Sequence, residues 1–150
     1  MSSSCFRIGR SATGLGLFAT KLIERSGYIA TYRGRRLSAE EAEQREQRGA
    51  KYMFELNSRW TIDGSPRWNV ARYINHSCWP NAKPVVRNGK IVFLAMRAIA
   101  PGEEITYDYG REYFDHLIRN GGCRCAACRT KAAVRRAKRT AARQRKNRTV

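Results

Sequence analysis

Two short stretches constrain this chain more than any other feature. One is Arg72-Tyr73-Ile74-Asn75-His76-Ser77-Cys78-Trp79-Pro80-Asn81, and the other is Gly102-Glu103-Glu104-Ile105-Thr106-Tyr107-Asp108-Tyr109. In the first, a polar Asn-His pair interrupts an apolar run. The second ends on two tyrosines one residue apart, so neither reads as ordinary core. Around them, turn signals are frequent and apolar runs are short. Leu17-Phe18-Ala19, Tyr28-Ile29-Ala30-Thr31-Tyr32, Met53-Phe54-Glu55-Leu56 and Trp60-Thr61-Ile62 are expected strands. Val85-Val86-Arg87 and Lys90-Ile91-Val92-Phe93-Leu94 flank Asn88-Gly89, a pair suited to the two positive φ angles of a type I′ hairpin turn. One helix is well marked: Ser38 can cap it, Glu41 completes a capping box and Gly49 can end it. The residues between are strongly polar. The pattern predicts a mostly-β domain of small curved sheets with a short surface helix.

At 150 residues the chain suits one domain that can bury a core without disulfide staples. It has no apolar run near the roughly 20 residues needed to span a bilayer, so no membrane role is expected. Met1-Ser2-Ser3-Ser4-Cys5-Phe6-Arg7 lacks the apolar core of a signal peptide. A cytoplasmic, nucleoid or nuclear protein with reduced thiols is therefore expected. The net charge of +18 is unevenly placed. Arg129, Lys131, Arg135, Arg136, Lys138, Arg139, Arg143, Arg145, Lys146 and Arg148 lie in residues 129–150, with no acidic residue among them. Alanines there permit a helix, but no large-apolar stripe gives it anything to bury, so a basic, disordered tail is expected beyond Cys128. So many cations point to a polyanionic partner, foremost nucleic acid, through counterion release. A solubilising extension and a targeting signal are the alternatives.

The two stretches closely resemble, in order, the two hallmark motifs of SET-domain protein-lysine methyltransferases. The resemblance covers roughly residues 6–128 and implies the SET fold, with a SET domain over 6–114 and a post-SET segment over 115–128. It also implies S-adenosylmethionine as cofactor and a protein substrate that presents a lysine. Gly14-Leu15-Gly16 is similar to the family's first motif, where the backbone passes close to the cofactor. Tyr32-Arg33-Gly34 matches a Tyr-x-Gly whose tyrosine lines the lysine channel, and Tyr52 matches a residue beside the cofactor. Arg72, Asn75 and His76 match the cofactor-holding group, and the family sets their segment against the C-terminal segment in a knot-like threading. Tyr109 is the expected central catalytic residue, with Tyr32 and Tyr107. Tyr113, followed by Phe114, matches an aromatic pair that closes the channel near the cofactor.

Methyl transfer to lysine needs a neutral amine held in line with a methyl donor, although a free lysine has a pKa near 10.4. A narrow aromatic slot with few polar atoms suits that task better than a nucleophile or a metal. Tyr107 stands where the family carries Tyr or Phe, and a phenol there can hold a water that disfavours a second methylation. Mainly monomethyl-lysine is therefore expected.

Cys123-x-Cys125-x-x-Cys128 supplies three closely spaced thiols, one short of a tetrahedral zinc site. The family draws the fourth from the His-Ser-Cys of the first stretch, here Cys78. Two departures stand out: only two residues precede the last cysteine where four are commoner, and Trp68-Asn69 replaces Gly-Asn. Cys5 is left over. The reading is a zinc-stapled, S-adenosylmethionine-dependent lysine methyltransferase acting on a basic, histone-like protein or on its own tail at Lys131 or Lys138. Its rivals are a non-catalytic SET-fold chromatin- or nucleoid-binding module and a small zinc-containing nucleic-acid-binding protein. Oligomeric state is left open.

Overall fold

The computed structural model describes residues 4–110 and 123–147. Among the described residues ten short strands form three small sheets around a main core. β1 (Phe6–Ser11) and β2 (Gly14–Ala19) make a hairpin. β3 (Tyr28–Tyr32), β4 (Arg35–Ser38), helix α1 (Ala39–Gln47), β5 (Met53–Glu55) and β6 (Trp60–Asp63) follow. A 3-10 turn (Val70–Tyr73) leads into β7 (Asn75–His76), then β8 (Ala82–Arg87), β9 (Lys90–Ala95) and β10 (Glu104–Tyr107). Helix α2 spans Ala126–Asn147. The sheets run β1-β2-β10-β7, β3-β9-β8 and β4-β6-β5. No helix among the described residues is long and apolar enough to cross a membrane.

The expected elements form for the expected reasons. Asn88 and Gly89 adopt φ of 49° and 69°, and Arg87 pairs with Lys90 across the turn. Ser38 Oγ accepts from the Glu41 N–H at 3.2 Å and caps α1, which buries only Ala42, against Leu37 and Met53. The other inward-facing apolar side chains, Leu17, Ile29, Ile74, Ile91, Phe93, Ile99 and Ile105 among them, converge from all three sheets into one cluster. Their burial supplies the main driving force, at roughly 1.5–3 kcal/mol for each fully buried large side chain.

The tail departs from expectation. Instead of disordered chain, it forms a 22-residue helix that crosses the proposed boundary at Cys128. Ala, Arg, Lys and Gln are strong helix formers, and no proline or glycine interrupts them. The described side chains from Arg129 onward are exposed, so intrinsic propensity holds this helix without core burial. Residues 111–122 of the C-terminal segment, for which a threading against the Asn75 segment is expected, lie outside the described residues.

Gly34 joins β3 to β4 where the chain turns against β6. A Cβ there would meet the Asp63 carbonyl within covalent-bond range, so only glycine fits. We expect Gly34→Ala to destabilise the domain by at least about 1–3 kcal/mol, the usual cost of forced overpacking, read as a lower urea midpoint. An unchanged midpoint would remove this close approach from the account of the fold.

The pair Arg97–Glu103 gives a second expectation. Glu103 Oε1 sits 2.8 Å from Arg97 Nη2, and its Oε2 accepts from the Ala100 N–H at 2.6 Å. Hydrogen bonding from Arg97, and then from Ala100, holds this carboxyl below its ordinary range. The lowered pKa means that the stabilisation is complete above the ordinary Glu value and disappears as pH falls through the lowered one. Glu103→Gln should therefore cost under about 1 kcal/mol at pH 7, and the difference from wild type should vanish in acid. The measurement is paired thermal melts across pH.

Candidate active site and thiol cluster

β10 is the strand around which the site is built. It pairs antiparallel with β2 (Glu104 with Phe18, Ile105 with Leu17) and parallel with β7 (Thr106 with Asn75, Tyr107 with His76). The buried Asn81 reinforces this placement: its Nδ2 donates to the Glu104 carbonyl at 2.8 Å and its Oδ1 accepts from the Thr106 N–H at 2.9 Å. Period-two alternation then sends Ile105 and Tyr107 into the core.

A run of aromatic rings extends from that core to the surface. Tyr32 lies 5.1 Å from Phe54, Phe93 lies 4.8 Å from Tyr107, and Tyr107 lies 4.7 Å from Tyr109, between ring centroids. His76 packs edge-on to Tyr109 at 5.3 Å. Two of the phenols are anchored on backbone: the Tyr32 hydroxyl donates to the Tyr52 carbonyl at 2.7 Å, and the Tyr109 hydroxyl donates to the Ile74 carbonyl at 2.9 Å. Each such bond fixes a ring by directing its hydroxyl proton onto backbone.

A second face gathers Gly16, Asn75, Arg72 and Tyr52. Asn75 Nδ2 donates to the Leu15 carbonyl and to Glu104 Oε1, both at 2.9 Å, tying β7 to β2 and β10. A Cβ on Gly16 would fall 2.5 Å from Glu104 Oε1 and 3.2 Å from Asn75 Nδ2. The glycine therefore serves close strand approach. Arg72 lays its guanidinium 4.1 Å above the Tyr52 ring and donates to the Ser65 carbonyl. Its Nε is buried with no protein partner. Tyr52 carries φ of +65°, a conformation that costs a bulky side chain on the order of 1–3 kcal/mol and clusters at functional sites. An orphaned buried donor, a stacked cation and half-buried aromatics fit a ligand with both carboxylate and ring parts, as S-adenosylmethionine has.

The four cysteines named from the sequence come together. Cys78, Cys123, Cys125 and Cys128 place their sulfurs within 4.8 Å of one another, with Cys78 3.8 Å from Cys123 and 3.6 Å from Cys128. A tetrahedral zinc site with Zn–S near 2.3 Å requires sulfurs about 3.8 Å apart, so the set could hold such an ion. The short Cys125–Cys128 spacing is explained by α2: these two ligands straddle its first residues, and the Cys128 N–H donates to Cys125 Sγ at 3.4 Å. Burial, and then hydrogen bonds with Cys128 and Cys123, push the Cys78 thiol well above its ordinary range. Burial pushes Cys125 up too, but backbone N–H groups of Cys78 and Cys128 outweigh it and bring the thiol down to about 6.

His76 joins the two halves. Its Nδ1 accepts from the Tyr109 N–H at 3.1 Å, which puts the ring proton on Nε2, 3.4 Å from Cys78 Sγ. Burial lowers the imidazole pKa, opposed by Asp108 at 3.8 Å, so the neutral form that makes both bonds prevails. Its side chain thus spans from the tyrosine strand to the thiols. Asn75 likewise spends its amide on neighbouring strands.

Tyr32, Tyr107 and Tyr109 therefore share one aromatic run, Tyr52 meets it through the Tyr32 hydroxyl, Arg72 stacks on Tyr52, Asn75 bonds the Leu15 carbonyl between Gly14 and Gly16, and Tyr113 and Phe114 lie outside the described residues. The sequence gives Phe54, Phe93, Asn69 and Asn81 no role in the site, and their roles come from contacts across the fold. Asn69, 1% exposed, accepts from the Arg33 N–H and donates to the Gly64 carbonyl, both at 3.0 Å, fixing the loop beside Tyr32. Trp68 is tolerated before it because the ring is 66% exposed and its backbone needs no positive φ.

The SET domain family model matches residues 14–110. Human histone-lysine N-methyltransferase 2D is 39% identical over 125 residues, covering 76% of this chain and 2% of the human protein. A Cryptococcus neoformans histone-lysine N-methyltransferase, H3 lysine-4 specific, is 41% identical over 114 residues, covering 69% of this chain and 8% of its own length. Among solved structures, a chain of the Chaetomium thermophilum Polycomb Repressive Complex 2 bound to GSK126 superposes with a TM-score of 0.66 at 32% identity, covering 73% of this chain and 16% of that one. This chain therefore spans only a small part of each relative.

The thiol geometry yields a direct expectation. Protein purified without chelator should carry one zinc per chain by elemental analysis, and Cys78→Ser should bring this below stoichiometry. Because the Cys78 thiol must lose its raised-pKa proton to bind metal, zinc affinity should fall as pH falls. Metal-free protein at neutral pH would remove the site.

Proposed function

The chain belongs to the SET-domain family, and from that premise we propose that it methylates a lysine side chain of a protein, using S-adenosylmethionine. The observation that carries this reading is the anchored pair Tyr32 and Tyr109, whose hydroxyl protons are both spent on backbone carbonyls. Two phenol oxygens fixed as acceptors at an aromatic slot suit an amine, which arrives with N–H bonds to donate. Bound S-adenosylmethionine supplies the electrophilic methyl group and a positive charge that lowers the lysine pKa.

The chain's own residues do the rest. Arg72, with its orphaned Nε, and the Tyr52 ring hold the cofactor, with the Gly14-Leu15-Gly16 backbone and the Asn75-His76 strand beside them. Tyr109 and Tyr32 orient the lysine nitrogen, and the rings of Phe54, Phe93 and Tyr107 exclude water from the slot. Orientation of this kind is worth several powers of ten in rate. Tyr107 limits the product: a water held at its phenol occupies the space a methylated amine needs to turn for another attack. Cys78, Cys123, Cys125 and Cys128 would hold a zinc ion that would pin the C-terminal segment, and His76 connects Cys78 to the Tyr109 backbone.

The substrate that fits best is a basic, histone-like protein, in line with the names of the relatives, and the compartment is the nucleus or nucleoid. The tail's cations add nucleic acid as a second partner.

Labelled methyl transfer to a mixed protein extract and to histones tests the activity. Tyr109→Phe should lower every transfer by roughly 10²-fold. Tyr107→Phe should keep the first transfer and speed the later ones by about tenfold, the equivalent of roughly 1–2 kcal/mol for one held water. Mass spectra that show trimethyl-lysine as the dominant early wild-type product would overturn the role of Tyr107. Equal transfer by wild type and Tyr109→Phe would overturn the catalytic assignment.

A further inference from the structure

Total charge does not explain how the cations of α2 are arranged. Over the helix Ala126–Asn147, Arg129, Arg136 and Arg143 recur every seven residues, and so do Lys131, Lys138 and Arg145. At 3.6 residues per turn, seven residues return almost to the same bearing about 10.5 Å further along the axis. The two series therefore run as rails along nearly opposite flanks. Between them, one side of the helix holds Thr130, Val134, Ala137, Thr140, Ala141 and Gln144, mostly small and with no cation. Arg135 and Arg139 occupy the other side. All these residues are exposed, and residues 129–150 contain no Asp or Glu.

We propose that α2 lies in the major groove of double-stranded DNA, small-residue side toward the floor and one rail toward each phosphate backbone. This rests on the nucleic-acid partner inferred above and specifies its form. The major groove is about 12 Å wide and is walled by two anionic strands, while a helix with side chains measures about 10–12 Å across. Alanine and threonine permit close approach to the base edges, and the rails meet negative charge on both walls. At 22 residues the helix is about 33 Å long, close to one turn of duplex. A membrane surface would need large apolar side chains where the alanines are. Duplex RNA has a deep, narrow major groove that excludes a helix.

The thiol cluster sets where this helix points. Cys128 lies in its first turn and Cys125 immediately precedes it. A metal held there would fix the helix to the domain, so that DNA binding places the lysine slot beside whatever protein the DNA carries.

The test uses the full-length, zinc-loaded protein and fluorescence anisotropy with mixed-sequence duplex DNA and duplex RNA of equal length. DNA should bind at least about tenfold more tightly than RNA. Arg136→Gln with Arg143→Gln should weaken DNA binding several-fold more than Arg135→Gln with Arg139→Gln, although each pair removes two charges. Ala137→Phe with Ala141→Phe keeps every charge and should also weaken DNA binding, with helicity checked by circular dichroism. Equal affinity for both duplexes, or equal loss from the two glutamine pairs, would overturn the groove assignment and leave a purely electrostatic tail. Unchanged DNA affinity after deletion of residues 131–150 would overturn the nucleic-acid partner itself.

Discussion

The parallel pairing of Thr106 and Tyr107 with Asn75 and His76 is the contact on which the rest of this structure depends. β7 is only two residues long and β10 only four, so backbone bonds alone hold them weakly. Side-chain amides complete the pairing. Asn81 bonds β10 on both its donor and its acceptor, and Asn75 ties β7 to β2. Buried amides left unpaired would each cost about 1–3 kcal/mol, so the arrangement tolerates little sliding. A slip of one residue would turn Tyr107 from the core toward the opposite face.

From that pairing the site follows in two directions. Toward the core, Tyr107 meets Phe93 and Phe54, and Tyr109 finds the Ile74 carbonyl. Toward the C-terminal segment, His76 reaches Cys78 Sγ. One imidazole thus connects the backbone of the central tyrosine to a potential metal ligand, and its buried, neutral state suits both bonds. Beside Tyr32, Tyr52 carries a positive φ and Arg72, stacked on its ring, keeps an orphaned Nε. Departures from low-energy local structure gather where a ligand would complete them.

Much of the local architecture was legible. The Asn88-Gly89 hairpin and the Ser38 cap formed where their chemistry required, because turns and caps are decided by a few adjacent residues. β1, β4, β7 and β10 were not expected as strands. Arg35–Ser38 and Glu104–Tyr107 are short, and polar residues mask their alternation until a neighbouring strand supplies the pairing. The tail is helical although it offers no large-apolar stripe to bury, because its residues are good helix formers.

The sequence by itself determined the family and singled out the four thiols that meet, since these rest on residue types in a fixed order. Only the tertiary structure decided what their side chains do. Phe54 and Phe93 join the aromatic run through packing between sheets, and Asn69 and Asn81 become structural amides because distant carbonyls and N–H groups happen to face them. His76 is drawn between a strand and a thiol cluster by the parallel pairing of β7 with β10. Such roles depend on partners far away along the chain, and no local pattern encodes the distance across a fold.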